Sequence, residues 1–330
     1  MKKIFKSEVN LLEVRNLTTA FRTESGLVRA VDDVSFDVPR GKCVGIVGES
    51  GCGKSVTAMS LVRLLPKPAG QIIRGRVMFD GEDVLKMSDE RLRELRGGQV
   101  GVIFQEPLRA LNPVHLIGDQ IAETLMLHRG LTRAAALRES INILNFVHMP
   151  DPESRVSEYP MSLSGGMRQR VVIAMALACR PKLIIADEPT TALDVTVQQQ
   201  ILALIRELRE EMGSSSILIT HDLGVIAQNC DYVVVMYGGR VVERAEVNEL
   251  FANPRHAYTR ALLASMPRPE YPRKTHLPTI PGSVASIHEF VPGCRFCQRM
   301  GREGDTLIDR PRLLEVAPNH FVEACPICTA

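Results

Sequence analysis

The chain has 330 residues, enough for one main domain and an appendage. Hydrophobic residues make up 45% and charged residues 24%, the balance of a globular core, and a net charge of +2 gives no hint of nucleic-acid binding, which usually shows a concentrated basic face. No stretch reaches the roughly 20 consecutive apolar residues of a membrane span, so a role at a membrane would come through partners that cross it. The basic start has neither a sustained apolar run nor a small-residue cleavage site, and reads as a solvated leader rather than a secretion signal or an anchor.

Residues 10–46 read as strands. Leu12, Val14 and Leu17 open the run, and the partly alternating Val31, Val34, Phe36 and Val38 continue it. The continuous apolar run ending at Val47 fits a fully buried strand, followed by a glycine-rich turn and a helix from Ser55 to Leu65, closed by Pro66. Residues 90–150 read as mostly helical, with Pro107 and Pro113 marking a turn and unbroken helical spacing from Ala134 to Val147. Another helix is expected after Gly165 and Gly166, running to Cys179. Then come a buried strand from Leu183 to Ala186, an amphipathic helix from Gln198 to Glu211 and a strand from Ser216 to Thr220. Tyr232 to Tyr237 and Arg240 to Glu243 flank Gly238-Gly239 as a hairpin.

Strands alternating with helices imply an α/β fold with a mostly parallel sheet and an antiparallel part from the N-terminal strands. Past residue 262, Pro267, Pro269, Pro272, Pro278 and Pro281 crowd together, the composition of a linker or irregular arm rather than more sheet. The expected division is therefore 1–262 and an extension, 263–330. Of eight cysteines, Cys43, Cys52, Cys179 and Cys230 are scattered and read as small hydrophobes. Cys294, Cys297, Cys325 and Cys328 crowd into the extension as two C-x-x-C pairs, a pattern of metal binding rather than of disulfides.

Gly48-Glu49-Ser50-Gly51-Cys52-Gly53-Lys54-Ser55 matches G-x-x-x-x-G-K-[ST] between a buried strand and a helix, the context a phosphate-binding loop requires. Glycines let backbone N–H groups turn inward as a nest for phosphate oxygens, and the following helix aims its positive end at the anion. Lys54 would reach the β- and γ-phosphates of ATP, and Ser55 would ligate Mg²⁺. The strand ending in Asp187-Glu188 puts two carboxylates at a sheet's C-terminal edge, where Asp187 would hold Mg²⁺ and Glu188 would polarise the attacking water.

Leu163-Ser164-Gly165-Gly166-Met167-Arg168-Gln169-Arg170 resembles the signature of ATP-binding-cassette (ABC) ATPases, a branch of the P-loop NTPases. Phe104-Gln105-Glu106-Pro107 resembles the family's Q-loop, Ala192-Leu193-Asp194 its D-loop and Thr220-His221-Asp222 its switch-histidine region. Phe21 stands where the family carries an adenine-stacking aromatic, and Val56 follows the phosphate loop into the nucleotide site. The resemblance implies a helical subdomain over about 105–180. It implies that two such subunits face each other, the phosphate loop of one and the signature of the other enclosing each ATP. Ser164, Gly165 and Gly166 would offer N–H groups, a hydroxyl and a helix end to the γ-phosphate held by a partner. Gln105 would contact Mg²⁺ or the water, and His221 the γ-phosphate, with Glu188 as third catalytic residue.

The segments 105–113, 185–196 and 254–262 resemble the oligopeptide/dipeptide/nickel importer branch, in which the extension also occurs. That resemblance implies uptake of peptides or a related solute. The partners it implies are a second, different ATPase subunit, two permease subunits and an extracytoplasmic solute-binding protein, at the cytoplasmic face of the cell membrane. Tyr159-Pro160-Met161-Ser162 departs from the branch, which has Tyr-Pro-His followed by Gln or Glu. Many members bind a [4Fe–4S] cluster in the extension. Gly293-Cys294-Arg295-Phe296 and Ala324-Cys325 match the ends of that pattern. Its second cysteine falls on Met300, and its third has no counterpart between Gly301 and Leu307. Cys297 and Cys328 stand where the branch has none and could replace the missing two, with tetrahedral Zn²⁺ the alternative to the cluster, although 27 residues between the pairs is longer than the usual zinc-ribbon spacing. The alternative function is a soluble cassette ATPase of translation or DNA repair, a class that usually fuses two cassettes or inserts long coiled coils.

Overall fold

The computed structural model describes residues 9–191, 193–267, 276 and 278–329. The leader residues 1–8, Ala192 of the D-loop, Pro269 and Pro272 lie outside the described residues. Twelve strands are described: β1 Asn10–Thr23, β2 Gly26–Pro39, β3 Cys43–Val47, β4 Gly70–Phe79, β5 Glu82–Asp83, β6 Val100–Ile103, β7 Leu183–Asp187, β8 Ser215–Thr220, β9 Tyr232–Tyr237, β10 Arg240–Glu246, β11 Leu313–Ala317 and β12 His320–Glu323. Two compact units result, one of Met1–Pro39, Cys43–Leu85 and Thr220–Ala330, the other of Arg40–Lys42 and Lys86–Ile219.

In the first unit an antiparallel sheet runs β2-β1-β4-β5. Val14 lies between Phe36 and Val77 in the ladder, and all three are fully buried, which is why this alternating stretch pairs where it does. The same unit holds β11-β12-β10-β9-β3. β3 and β9 are parallel and buried along their whole length, as continuous Val/Ile-rich runs should be. β9 and β10 form the expected hairpin, closing at Tyr237↔Arg240.

The second unit carries β8-β7-β6, all parallel, with helices Ile117–Arg129, Arg133–Phe146, Gly165–Leu177 and Val195–Met212. The α/β class, its parallel strands and its antiparallel N-terminal part are as the sequence indicates.

Four strands differ from the sequence reading. β6 lies inside the stretch read as helical, because a four-residue apolar run has no period by which to tell strand from helix. β4 went unread because Arg74, Gly75 and Arg76 interrupt its pattern, and pairing with β1 sets it. Past residue 262 the chain is not only an irregular arm: β11 and β12 extend the sheet beyond β10, with Glu243↔Val322 in register.

Candidate functional site

β3 delivers the chain into the phosphate loop, and the helix Lys54–Leu61 follows at once. Gly53 sits at φ 98, and a Cβ there would lie 2.6 Å from the Ala30 carbonyl oxygen, so only glycine fits. The Lys54 ammonium, 5% exposed, donates to the carbonyls of Gly48 at 2.8 Å and Glu49 at 3.1 Å. It thus lies folded over the loop that an anion would fill. Ser50 and Gly51 are exposed, while Ser55 and Val56 are half-buried. Cys52 is buried, and burial raises its thiol pKa, opposed in part by Lys54, so it stays protonated as a small packing side chain. Phe21 is half-buried on β1, opposite Val28 and Gly70. His221 is exposed just after β8, and Asp222 beside it caps the helix Leu223–Asn229 by accepting from Gly224 at 2.7 Å.

In the second unit Asp187 ends β7 and is 4% exposed. Glu188 follows at φ 46, a left-handed conformation uncommon outside glycine and asparagine, with its N–H held by Ile219 O at 3.0 Å. Gln105 Nε2 and Thr191 Oγ1 both donate to Glu188 Oε2 at 3.0 Å. The structure therefore brings Gln105 and Glu188 together. It adds Thr191, whose only sequence signal is a hydroxyl three residues past the carboxylate.

Ser164 is exposed and caps the helix Gly165–Leu177, accepting from Met167 at 3.4 Å. Asp194 caps the helix Val195–Met212 through Val197 N at 3.0 Å. The two helices meet at Gly166, where a Cβ would come within 2.8 Å of a Val197 methyl. The exposed end of the signature helix is thus free of bulk, and its N–H groups can face an incoming phosphate.

Cys294, Cys297, Cys325 and Cys328 are each at most 2% exposed, with their sulfurs all within 4.8 Å of one another. Cys297 Sγ lies 3.5 Å from Cys325 Sγ and 3.6 Å from Cys328 Sγ, and Cys294 Sγ lies 3.6 Å from Cys328 Sγ. Hydrogen bonding from Cys328 holds the Cys294 thiol down to about 3, while burial and the Cys294 charge push Cys297 up to about 12. His256, fully buried, accepts the Tyr258 amide at Nδ1 and stands with Glu323 within 4.8 Å of Cys294 Sγ. Burial, with the Cys294 charge adding, raises Glu323 to about 8.

The extension is pinned to the same unit by charge. Asp32 Oδ2 accepts from Arg240 at 2.9 Å and Arg295 at 2.8 Å, and Oδ1 from Arg310 at 3.1 Å. Burial raises the Asp32 pKa, but Arg240, Arg310 and Arg295 outweigh it and hold the carboxyl below its ordinary value.

Residues 31–191 match the profile of the ABC transporter family, and residues 242–303 that of the oligopeptide/dipeptide transporter C-terminal region. The chain is 50% identical to the probable peptide ABC transporter ATP-binding protein y4tR of Sinorhizobium fredii, over 94% of this chain and 93% of that one. It is 44% identical to the oligopeptide transport ATP-binding protein OppD of Bacillus subtilis, over 95% and 88% of the two chains. Among solved structures, the dimeric post-hydrolysis state of the ATP-binding cassette MJ0796 bound to ADP and Pi superposes with a TM-score of 0.64 at 26% identity, covering 72% of this chain and 98% of that one.

Phosphate loop, paired carboxylates and signature helix on this α/β scaffold define an ATP-binding cassette. The chain belongs to the ABC transporter ATP-binding proteins, in the group that carries the oligopeptide/dipeptide transporter C-terminal region. It is a transport ATPase rather than one of translation or DNA repair, and ATP with Mg²⁺ fits an ABC ATPase. Among the described residues no helix is long and apolar enough to cross a membrane.

Proposed function

We propose that this chain drives peptide import by hydrolysing ATP at an interface with a second, related ATPase subunit. The observation that carries the reading is the Glu188 carboxylate, held by Gln105 and Thr191 beside Asp187 at the end of β7. A carboxylate fixed by two donors is poised to orient water rather than to swing freely. Ser55, Gln105 and Asp187 would hold Mg²⁺, residues 48–56 the phosphates, Phe21 the adenine and His221 the γ-phosphate. Ser164, Gly165 and Gly166, with Asp194, would face the partner's ATP. Residues 1–262 would form the motor and 263–330 its extension.

Relatives named for peptide transport at 44–50% identity support the solute class. The second unit leaves Leu108, Val114, Leu127, Tyr159 and Met161 exposed, apolar side chains suited to docking on permeases. An extracytoplasmic binding protein would hand over the peptide, and this chain would sit on the cytoplasmic face of the cell membrane. Glu188→Gln in the assembled transporter is expected to cut turnover by about a hundredfold or more while ATP still binds. Unchanged hydrolysis by that variant would refute the reading.

The four cysteines would bind a metal. A single Zn²⁺ holds thiolates at about 2.3 Å, which sets neighbouring sulfurs about 3.8 Å apart. The spacings of 3.5–3.6 Å suit that arrangement. A [4Fe–4S] cluster carries each thiolate on the outer corner of a separate iron and needs the sulfurs much further apart, so the family's cluster does not fit these residues. His256 would support Cys294 from outside the ligand set. Anaerobically purified protein is expected to be colourless with one zinc per chain. Iron with visible absorption would overturn the zinc assignment.

A further inference from the structure

The phosphate loop is gripped at one residue by the C-terminal part of the chain. Arg299 donates from one guanidinium nitrogen to Glu49 Oε2 at 2.5 Å. Three further donors go to carbonyls, Pro281 at 2.9 Å and Ile280 and Gly282 at 3.1 Å each. The arginine side chain is 4% exposed and the glutamate side chain 31%, so water screens the pair from the glutamate side only. From the other side the Glu49 amide donates to Tyr258 Oη at 3.0 Å. Tyr258 is fully buried, with its ring centroid 4.6 Å from Tyr237 and 5.5 Å from Phe296. Phe296 lies between Cys294 and Cys297, on the short helix Arg295–Arg299 that also carries Arg299.

Glu49 is thus fixed at its backbone and at its side chain, and its own carbonyl holds the Lys54 ammonium at 3.1 Å. Two consequences follow from elementary electrostatics. A loop whose shape is set before the ligand arrives loses less freedom on binding. A carboxylate within the phosphate loop repels a polyphosphate unless a cation neutralises it, and Arg299 supplies that cation.

We propose that Arg299 and Tyr258 are positioning residues for ATP, holding Glu49 so that the C-terminal extension sets the affinity of the phosphate loop. The inference rests on residues 48–55 being the phosphate site, and Lys54→Ala tests that separately. If Lys54→Ala binds ATP as the parent does, the site reading itself falls.

The test measures equilibrium binding of Mg-ATP to the full chain, KM and kcat in the assembled transporter, and the unfolding midpoint without nucleotide. Arg299→Gln is expected to weaken ATP binding and raise KM about fivefold, with a smaller change in kcat. Arg299→Lys should recover most of that loss. Adding Glu49→Gln to Arg299→Gln should tighten binding relative to Arg299→Gln alone, because the bare charge is gone. Tyr258→Phe keeps the ring packing and removes only the acceptor, so it should weaken binding two- to threefold with its unfolding midpoint retained. An Arg299→Gln variant that unfolds more easily but binds ATP normally overturns the proposal. So does a penalty indifferent to residue 49. Should Arg299→Gln fail to fold, Arg299→Lys and Tyr258→Phe carry the test, and parental ATP affinity in both overturns it.

Discussion

The phosphate loop and the C-terminal extension share one compact unit and are held by opposite means. The loop is built from main chain: Cys52 N–H reaches Glu49 O, Gly239 N–H reaches Cys52 O at 3.0 Å, and glycine tolerates the tight approach at Gly53. The extension is held by long side chains and sulfur: Arg295 and Arg310 on Asp32, Arg299 on Glu49, and four thiols at its centre. The difference follows from their tasks. A loop that must wrap an anion has to keep N–H groups available and side chains out of the way. An arm with two short strands has little regular structure of its own, so charge and sulfur add to its packing around Phe296.

The sharpest way to break this comparison is Asp32→Asn. The Asp32 carboxylate joins Arg240, Arg295 and Arg310, and its loss leaves Arg310 only Asp33 at 3.4 Å and Arg240 only Glu323 at 4.0 Å as acidic neighbours. Removing one partner from a buried ion cluster costs about 3–5 kcal/mol. Denaturant unfolding should show a loss of that size. Lys54→Ala, in contrast, should lose ATP with little change in stability, since its contacts are to two loop carbonyls. If Asp32→Asn unfolds at the parental midpoint, the extension is not held by charge and the contrast fails.

The same contrast explains which parts of the molecule could be read in advance. Residues 48–55, Asp187-Glu188 and the signature are contiguous, because backbone-made sites need specific residues at fixed neighbouring positions. The strands β3, β7 and β9 announced themselves by unbroken apolar runs. Arg295 and Arg310 reach Asp32 across separations of 263 and 278 residues, and Arg299 reaches Glu49 across 250, distances at which no local pattern operates. Thr191 was illegible for a different reason: a hydroxyl near a carboxylate is common, and only the left-handed Glu188 backbone turns the two together. β12 is short, and its Val322 pairs with Glu243, so its membership of the sheet rests on a buried polar contact rather than on periodicity.

That polar contact allows a subtler probe. Glu243 lies fully buried on β10 and accepts from His320 Nε2 at 2.8 Å, from Arg255 N at 2.6 Å and from His256 N at 3.0 Å. Glu249, from the neighbouring helix, also faces His320, at 3.4 Å. Burial would raise the Glu243 pKa, but the His320 contact, Thr259 and the two amides outweigh it and hold it below its ordinary 4.5. A carboxylate with a depressed folded pKa stabilises fully above 4.5, and that contribution fades as pH falls through the lower folded value. Glu243→Gln is therefore expected to cost about 1–3 kcal/mol at neutral pH. The gap between variant and parent should close below that range, as the parental carboxyl protonates too. Any metal at the four cysteines would be lost from both proteins in acid, so the difference between them isolates Glu243. A gap that stays constant from neutral pH into strong acid would mean that the extension's sheet is joined by packing rather than by this hydrogen bond, and would weaken the contrast from the extension's side.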